Sequence, residues 1–191
     1  MKVYFPRLTK LKPTLVSSVI KLTEEIGELS REITKYPYAL KGILTELMDV
    51  GQVCATMMFL VEDENATTAI NSHILKLYNK GYLRKMETPA GIVDKDGDKV
   101  LYLPRLDIAP TVQETFLKLT EEAGELAHHV GKENGMSGEK SAETTKALMG
   151  DLLDVAQTCV TMLYILVDEN YIDVERLLSE HKKKLREHGY L

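Results

Sequence analysis

The segment Lys21-Leu22-Thr23-Glu24-Glu25-Ile26-Gly27-Glu28-Leu29 carries three carboxylates that helical spacing gathers on one side. At about 100° per residue, Glu24, Glu25 and Glu28 fall within an arc of about 100°, and Glu25 lies about 60° from the centre of the apolar stripe. Farther along, Glu46 and Asp49 project about 60° apart, on a face continued by Val50, Val53, Met57 and Leu60. Carboxylates on an apolar face lose their hydration unless a cation meets them. Several together also raise one another's pKa and repel. A divalent cation removes that cost, and an all-oxygen set without His or Cys points to Mg²⁺, for which Mn²⁺ can substitute, and away from zinc. Two other readings compete with a metal site. An acidic triplet on a helix is commonly a solvated face, and Glu46 and Asp49 can pair with Lys or Arg as buried ion pairs. Gly27 leaves room for a neighbouring helix or ligand.

The acidic pattern is written twice. Lys21 to Leu29 recurs at Lys118 to Leu126 with Ala123 as its only change, and Gly27 has its twin in Gly124. Tyr4-Phe5-Pro6-Arg7-Leu8 recurs as Tyr102-Leu103-Pro104-Arg105-Leu106, Asp49 to Met57 as Asp154 to Met162, and Gly81-Tyr82-Leu83 as Gly189-Tyr190-Leu191. Self-similarity of this kind marks two units of roughly 80 residues each. The boundaries read as a first repeat over 1–83, a linker over 84–101 and a second repeat over 102–191. The spacing between copies widens mainly between Val130 and Met149, so Gly131 to Gly138 reads as a longer loop in the second copy.

These residues need helices to position them. Leu15, Val19, Leu22, Ile26, Leu29 and Ile33 form one apolar stripe, which predicts an amphipathic helix. Pro37 and Gly42 mark the break after it, and Ile43 to Val61, apolar nearly all round, predicts a central buried helix. A third helix is expected from near Asn65 or Thr67 to a C-terminal cap at Gly81. With the second copy following the same plan, the fold class is all-α: a tandem-duplicated bundle of six main helices with a pseudo-twofold relation. In the linker, Ile92-Val93 and Val100-Leu101 flank Asp96-Gly97, which predicts a small hairpin. Asp94 to Asp98 is no calcium loop, because Gly97 falls too early and no Glu follows at the required spacing.

Composition narrows the function classes. The net charge of −5 argues against an electrostatic grip on nucleic acid. An acidic protein acting on phosphates needs a cation between itself and its substrate. No uninterrupted apolar run reaches the length of a membrane span, and Met1 to Leu11 lacks the apolar stretch of a signal peptide, so a cytoplasmic location without membrane partners is expected. Cys54 and Cys159 sit in apolar helical stretches and read as core thiols.

With the motifs in place, the chain resembles the all-α nucleoside triphosphate pyrophosphohydrolases of the MazG type, relatives of the dimeric dUTPases and of phosphoribosyl-ATP pyrophosphohydrolase. Their pattern is Glu-Glu-x-x-Glu on one helix and Glu-x-x-Asp on the next. Here it reads Glu24-Glu25-Ile26-Gly27-Glu28 with Glu46-Leu47-Met48-Asp49, then Glu121-Glu122-Ala123-Gly124-Glu125 with Asp151-Leu152-Leu153-Asp154, where Asp151 replaces the family's Glu. The resemblance implies hydrolysis of the α–β phosphoanhydride of a nucleoside triphosphate to the monophosphate and pyrophosphate. It implies Mg²⁺ held by Glu25, Glu28, Glu46 and Asp49 in one site and by Glu122, Glu125, Asp151 and Asp154 in the other. Glu24 and Glu121 are then candidates to orient or deprotonate the attacking water. Family members usually build the site across a helical dimer, so the duplication resembles a dimer written into one chain; two such chains can still associate.

Phosphate contacts would come from cations near the metals. Lys21 and Lys118 stand one turn before Glu25 and Glu122, placed either to bind substrate phosphate or to form i,i+4 ion pairs. Lys76, Lys80 and Lys182 to Lys184 lie where family members recruit phosphate ligands, with Arg7 and Arg105 as weaker candidates. Tyr36 or Tyr38 would stack on a base or anchor the interhelical loop. His129 replaces Glu32 of the first copy and reads as a partly exposed helix histidine or an extra ligand. Narrower dUTP, dCTP or phosphoribosyl-ATP specificity shares the same metal motif. A carboxylate-bridged iron centre needs inward-pointing Glu-x-x-His pairs, which do not follow the Glu-Glu-x-x-Glu helices. A non-catalytic nucleotide-binding or helical interaction module is the alternative of another class.

Overall fold

The computed structural model describes residues 3–61, 66–85, 91–95, 98–135 and 145–191. Among them are six helices: α1 (Leu15–Ile33), α2 (Leu40–Leu60), α3 (Ala66–Asn79), α4 (Val112–Glu133), α5 (Thr145–Asn170) and α6 (Val174–Glu187). A three-stranded antiparallel sheet accompanies them, made of β1 (Tyr4–Pro6), β2 (Gly91–Lys95) and β3 (Asp98–Tyr102), with β3 in the middle.

Helix α1 begins where Thr14 and Ser17 form a reciprocal capping box, and α4 begins with the same device at Thr111 and Glu114. Such a cap is worth about 0.5–2 kcal/mol, and here it sets the phase of each acidic helix. Leu22, Glu25 and Leu29 of α1 are buried along one line, as the stripe requires. Both α2 and α5 are long and apolar enough to cross a membrane by length and composition, against the sequence expectation. Within the most apolar stretch of each, 67% in α2 and 72% in α5 is buried in the bundle. They pack on each other, while α1 and α4 cover them and also touch. One hydrophobic core cluster draws on both halves of the chain, including Leu29, Leu47 and Met58 with Leu119, Leu126 and Leu152.

The linker hairpin is present as β2 and β3, with Val93 opposite Val100; its Asp96-Gly97 turn lies outside the described residues. Its second strand also receives β1, so Tyr4 faces Tyr102 and Phe5 faces Leu101. Phe5 is 1% exposed, and a Cβ on Gly51 would lie 2.2 Å from its ring, so the glycine is what admits the ring against α2. Gly81 ends the turn after α3 at φ 74°, and Gly189 does the same after α6 at φ 73°. The third helix therefore stops as expected.

Three local expectations are corrected. Gly42 lies inside α2 rather than in the break, where the lack of a side chain lets the Glu32 carboxylate approach the helix. Gly131 and Lys132 belong to α4, whose apolar face continues through Val130, so the longer loop starts later. Its residues 136–144 lie outside those described. Gly27 and Gly124 admit no neighbouring helix, since a Cβ at either meets nothing within 4 Å.

Candidate metal centre

The α1 stripe sinks Glu25 to 6% exposure, and α2 presents Glu46 to it across the α1–α2 contact. One carboxylate oxygen from each of Glu25, Glu28 and Glu46 lies within 4.8 Å of the others. Burial raises the pKa of Glu25, and the nearby charges of Asp49 and Glu28 push the same way; the hydrogen bond and charge of Lys21 oppose them. Burial also raises Glu46, reinforced by Asp49, Glu28 and Glu25 and opposed by Lys184. Three hard oxygen donors, two of them with raised proton affinities, are a donor set that suits a small divalent cation.

The fourth residue of the first set, Asp49, stays in electrostatic reach of the trio but is held by other partners. Lys184 of α6 forms an ion pair with it, and His181 Nδ1 lies 3.7 Å from its carboxylate. The buried-ion-pair reading thus holds for Asp49, while Glu46 faces the carboxylates. Burial drives the His181 pKa down to about 4, so the ring is neutral near pH 7. Its Nε2 meets Gln52 Oε1 at 3.3 Å, and Gln52 Nε2 donates to the Pro6 carbonyl at 2.8 Å. Glu24 is exposed, and Lys21 bridges it at 3.2 Å and Glu25 at 2.7 Å. A cavity of about 250 Å³ opens beside this group, lined by Lys21, Glu25, Asp49 and Gln52 together with Leu8, Pro13, Val53 and Leu185.

The second set is arranged differently. Lys118 holds Glu122 at 2.7 Å and Glu121 at 3.1 Å, repeating the first copy's lysine geometry. Asp151 is bound by His129 Nδ1 at 2.8 Å, and Glu125 is exposed. His129 is 8% exposed, which corrects the expectation of a partly exposed ring. Asp154 is met by Lys76 at 2.5 Å and by His73 Nδ1 at 3.3 Å, both from α3. Burial works to raise the Asp154 pKa, but these two partners outweigh it and lower it. Among the described residues, no three of the predicted carboxylates here come together as Glu25, Glu28 and Glu46 do. The Glu125–His128 pair of α4 is exposed at both residues, so it does not project inward as an iron centre requires.

Other candidates fall away from the acidic centre. The Tyr36 hydroxyl donates to Glu169 at 2.8 Å and anchors the α1–α2 loop, while Tyr38 is 95% exposed. Arg7 lies over the Phe59 ring, and Arg105 lies over Tyr164 and pairs with Asp168. Cys54 and Cys159 are buried free thiols, and burial pushes Cys54 up to about 12.

Sequence reasoning missed His73, His181, Gln52 and Gln157. The signal was in the repeat: His73 and Lys76 precede Gly81 as His181 and Lys184 precede Gly189, and both glutamines follow the aspartates one turn later. No family model, curated protein or solved structure matches the chain.

Proposed function

We propose that this chain is a Mg²⁺-dependent nucleoside triphosphate pyrophosphohydrolase of MazG type, working in the cytoplasm, with its hydrolytic centre at Glu25, Glu28 and Glu46. The observation that carries the reading is the convergence of those three carboxylates at the edge of the core, two of them with raised pKa. When bound there, Mg²⁺, or Mn²⁺ in its place, would neutralise phosphate oxygens and polarise the phosphorus centre. Asp49 adds negative charge to the group and keeps Lys184 beside it. Lys21 and Lys184, each partly exposed and already drawn toward the carboxylates, are placed to bind triphosphate oxygens. Glu24, exposed next to Lys21, is the residue we assign to orient or deprotonate the attacking water. The adjoining cavity, lined by both polar and apolar side chains, has room for a nucleoside.

We further propose that the chain is a duplicated unit whose third helices are exchanged. This reading is supported by the sequence repeats and by α6 reaching Asp49 while α3 reaches Asp154. The intrachain pairing would stand in for a dimer of separate chains. Under it Glu121, Glu122, Glu125, Asp151 and Asp154 descend from a second metal site, with Lys118 as its former phosphate ligand.

The test is a panel of ribo- and deoxyribonucleoside triphosphates assayed for pyrophosphate release with Mg²⁺ and with excess chelator. The proposal expects monophosphate and pyrophosphate from at least one triphosphate, with no turnover in chelator. Release of orthophosphate instead, or chelator-insensitive turnover, would contradict it.

A further inference from the structure

We infer that Ser18 sets substrate specificity in the cavity beside Glu25, where its hydroxyl hydrogen-bonds an uncharged group of the nucleoside; this rests on the triphosphate hydrolase reading and names the residue that meets the part of the substrate the metal does not hold. Ser18 is 4% exposed and lines that cavity of about 250 Å³. Its backbone N–H bonds the Thr14 carbonyl at 3.0 Å, but its hydroxyl has no hydrogen-bond partner among the described residues.

The cause lies in the helix cap. A serine or threonine in a helix commonly turns its hydroxyl back to the carbonyl four residues earlier. A backbone carbonyl has two acceptor positions, and both of those on Thr14 are taken, one by the Ser18 N–H and the other by Ser17 Oγ at 3.0 Å. In the second half of the chain the cap pairs Thr111 with Glu114, whose ionised carboxylate only accepts. Thr115, at the position that matches Ser18, therefore takes the free place on the Thr111 carbonyl at 2.8 Å. Serine at position 17 thus leaves the next hydroxyl uncommitted, at a buried site where an unanswered polar group is unfavourable.

Position along α1 selects what meets that hydroxyl. Ser18, Lys21 and Glu25 stand at i, i+3 and i+7, on one side of the helix, and all three line the cavity. Lys21 Nζ is drawn forward to Glu25 at 2.7 Å, so the groups suited to phosphate gather around Glu25. The helical rise places Ser18 about 10 Å back along the axis from Glu25. With the phosphates held at the trio and Lys21, the uncharged sugar and base are left for the rest of the cavity, whose lining also includes Leu8, Leu11, Val53 and Tyr190. A hydroxyl that both donates and accepts suits a sugar hydroxyl or a base amide.

The experiment is calorimetric titration, with Mg²⁺, of α,β-methylene analogues of the ribo- and deoxyribonucleoside triphosphates and of inorganic tripolyphosphate into wild type, Ser18→Ala, Ser17→Gln and Thr115→Ala. Ser18→Ala should weaken the best-bound analogue about fivefold to tenfold and leave tripolyphosphate within about twofold of wild type. Ser17→Gln keeps the capping box and frees the Thr14 carbonyl to capture the Ser18 hydroxyl, so it should weaken the same analogue selectively. Thr115→Ala should change neither ligand. Dideoxy forms of the best analogue then locate the partner: a Ser18→Ala loss that vanishes with the sugar hydroxyls assigns the sugar, and one that persists assigns the base. Analogue binding that is unmoved in Ser18→Ala, or tripolyphosphate weakened as much as the nucleotide, would overturn the role of Ser18 and leave the hydrolase reading standing. No binding of any analogue to wild type would overturn both.

Discussion

The two acidic centres begin from nearly the same residues and end in opposite electrostatic states. Around Glu25, three carboxylates converge, and burial together with neighbouring carboxylates raises the proton affinity of Glu25 and Glu46, with Lys21 and Lys184 as partial counterweights. Around Asp154, each buried or half-buried carboxylate is individually answered: Glu122 by Lys118, Asp151 by His129, Asp154 by Lys76 and His73. Motif identity alone therefore does not bring three carboxylates together. Asp151 stands where the first copy has Glu46 and His129 where it has Glu32, and these two residues bind each other at 2.8 Å.

The largest expected effect separates the two halves by activity. Glu25→Gln should lower Mg²⁺-dependent pyrophosphate release by at least ~100-fold, since it removes a ligand from a charge-stabilising centre. Glu122→Gln should stay within about twofold of wild type. Equal losses in both would show that the halves work alike and break the comparison.

Next come the lysines of the third helices. Lys184→Met and Lys76→Met should each destabilise the fold by about 1–2 kcal/mol, below the ~3–5 kcal/mol of a fully buried pair because the lysines are partly exposed. Only Lys184→Met should also tighten Mn²⁺ binding, by removing a positive charge beside the trio. Urea melts with and without Mn²⁺ read both effects.

Packing distinguishes the halves more gently. Gly51→Ala should cost about 1–3 kcal/mol, because its Cβ would press into the Phe5 ring. The second repeat already has Ala156 in that place, with the smaller Leu103 where the first has Phe5. The paired change Gly51→Ala with Phe5→Leu should recover most of the loss in a thermal melt.

The smallest effect is in pH dependence without metal. The folded pKa of Glu25 is raised, so its favourable contribution is present below the ordinary carboxylate range and is lost as pH rises through the raised value. That of Asp154 is lowered, so its contribution is present above the ordinary aspartate value and is lost as pH falls through the lowered one. Melting temperatures in EDTA should therefore show Glu25→Gln gaining on wild type as pH rises above the ordinary glutamate value of about 4.3. Asp154→Asn should lose ground as pH rises from below the ordinary aspartate value of about 3.9 toward it.

Much of the framework was legible because it follows from periodicity. The α1 stripe, the all-round apolar α2, the Gly81 stop and the linker hairpin each have a local cause in residue spacing. The phase of α1 also placed Glu25 at the core edge. What spacing did not reveal were contacts made across the bundle. Lys184 and His181 reach Asp49 from a helix far along the chain, and no single helix encodes that approach. The glycines erred for a related reason: Gly27 looked like a contact and faces open space, while Gly51, unremarked in the sequence, holds Phe5.

The most direct test of the central claim is the number of divalent ions bound per chain, measured by Mn²⁺ titration followed by electron paramagnetic resonance. The account predicts one tight ion that disappears in Glu46→Gln and persists in Glu122→Gln. Two equivalent ions, or one ion indifferent to Glu46→Gln, would contradict it.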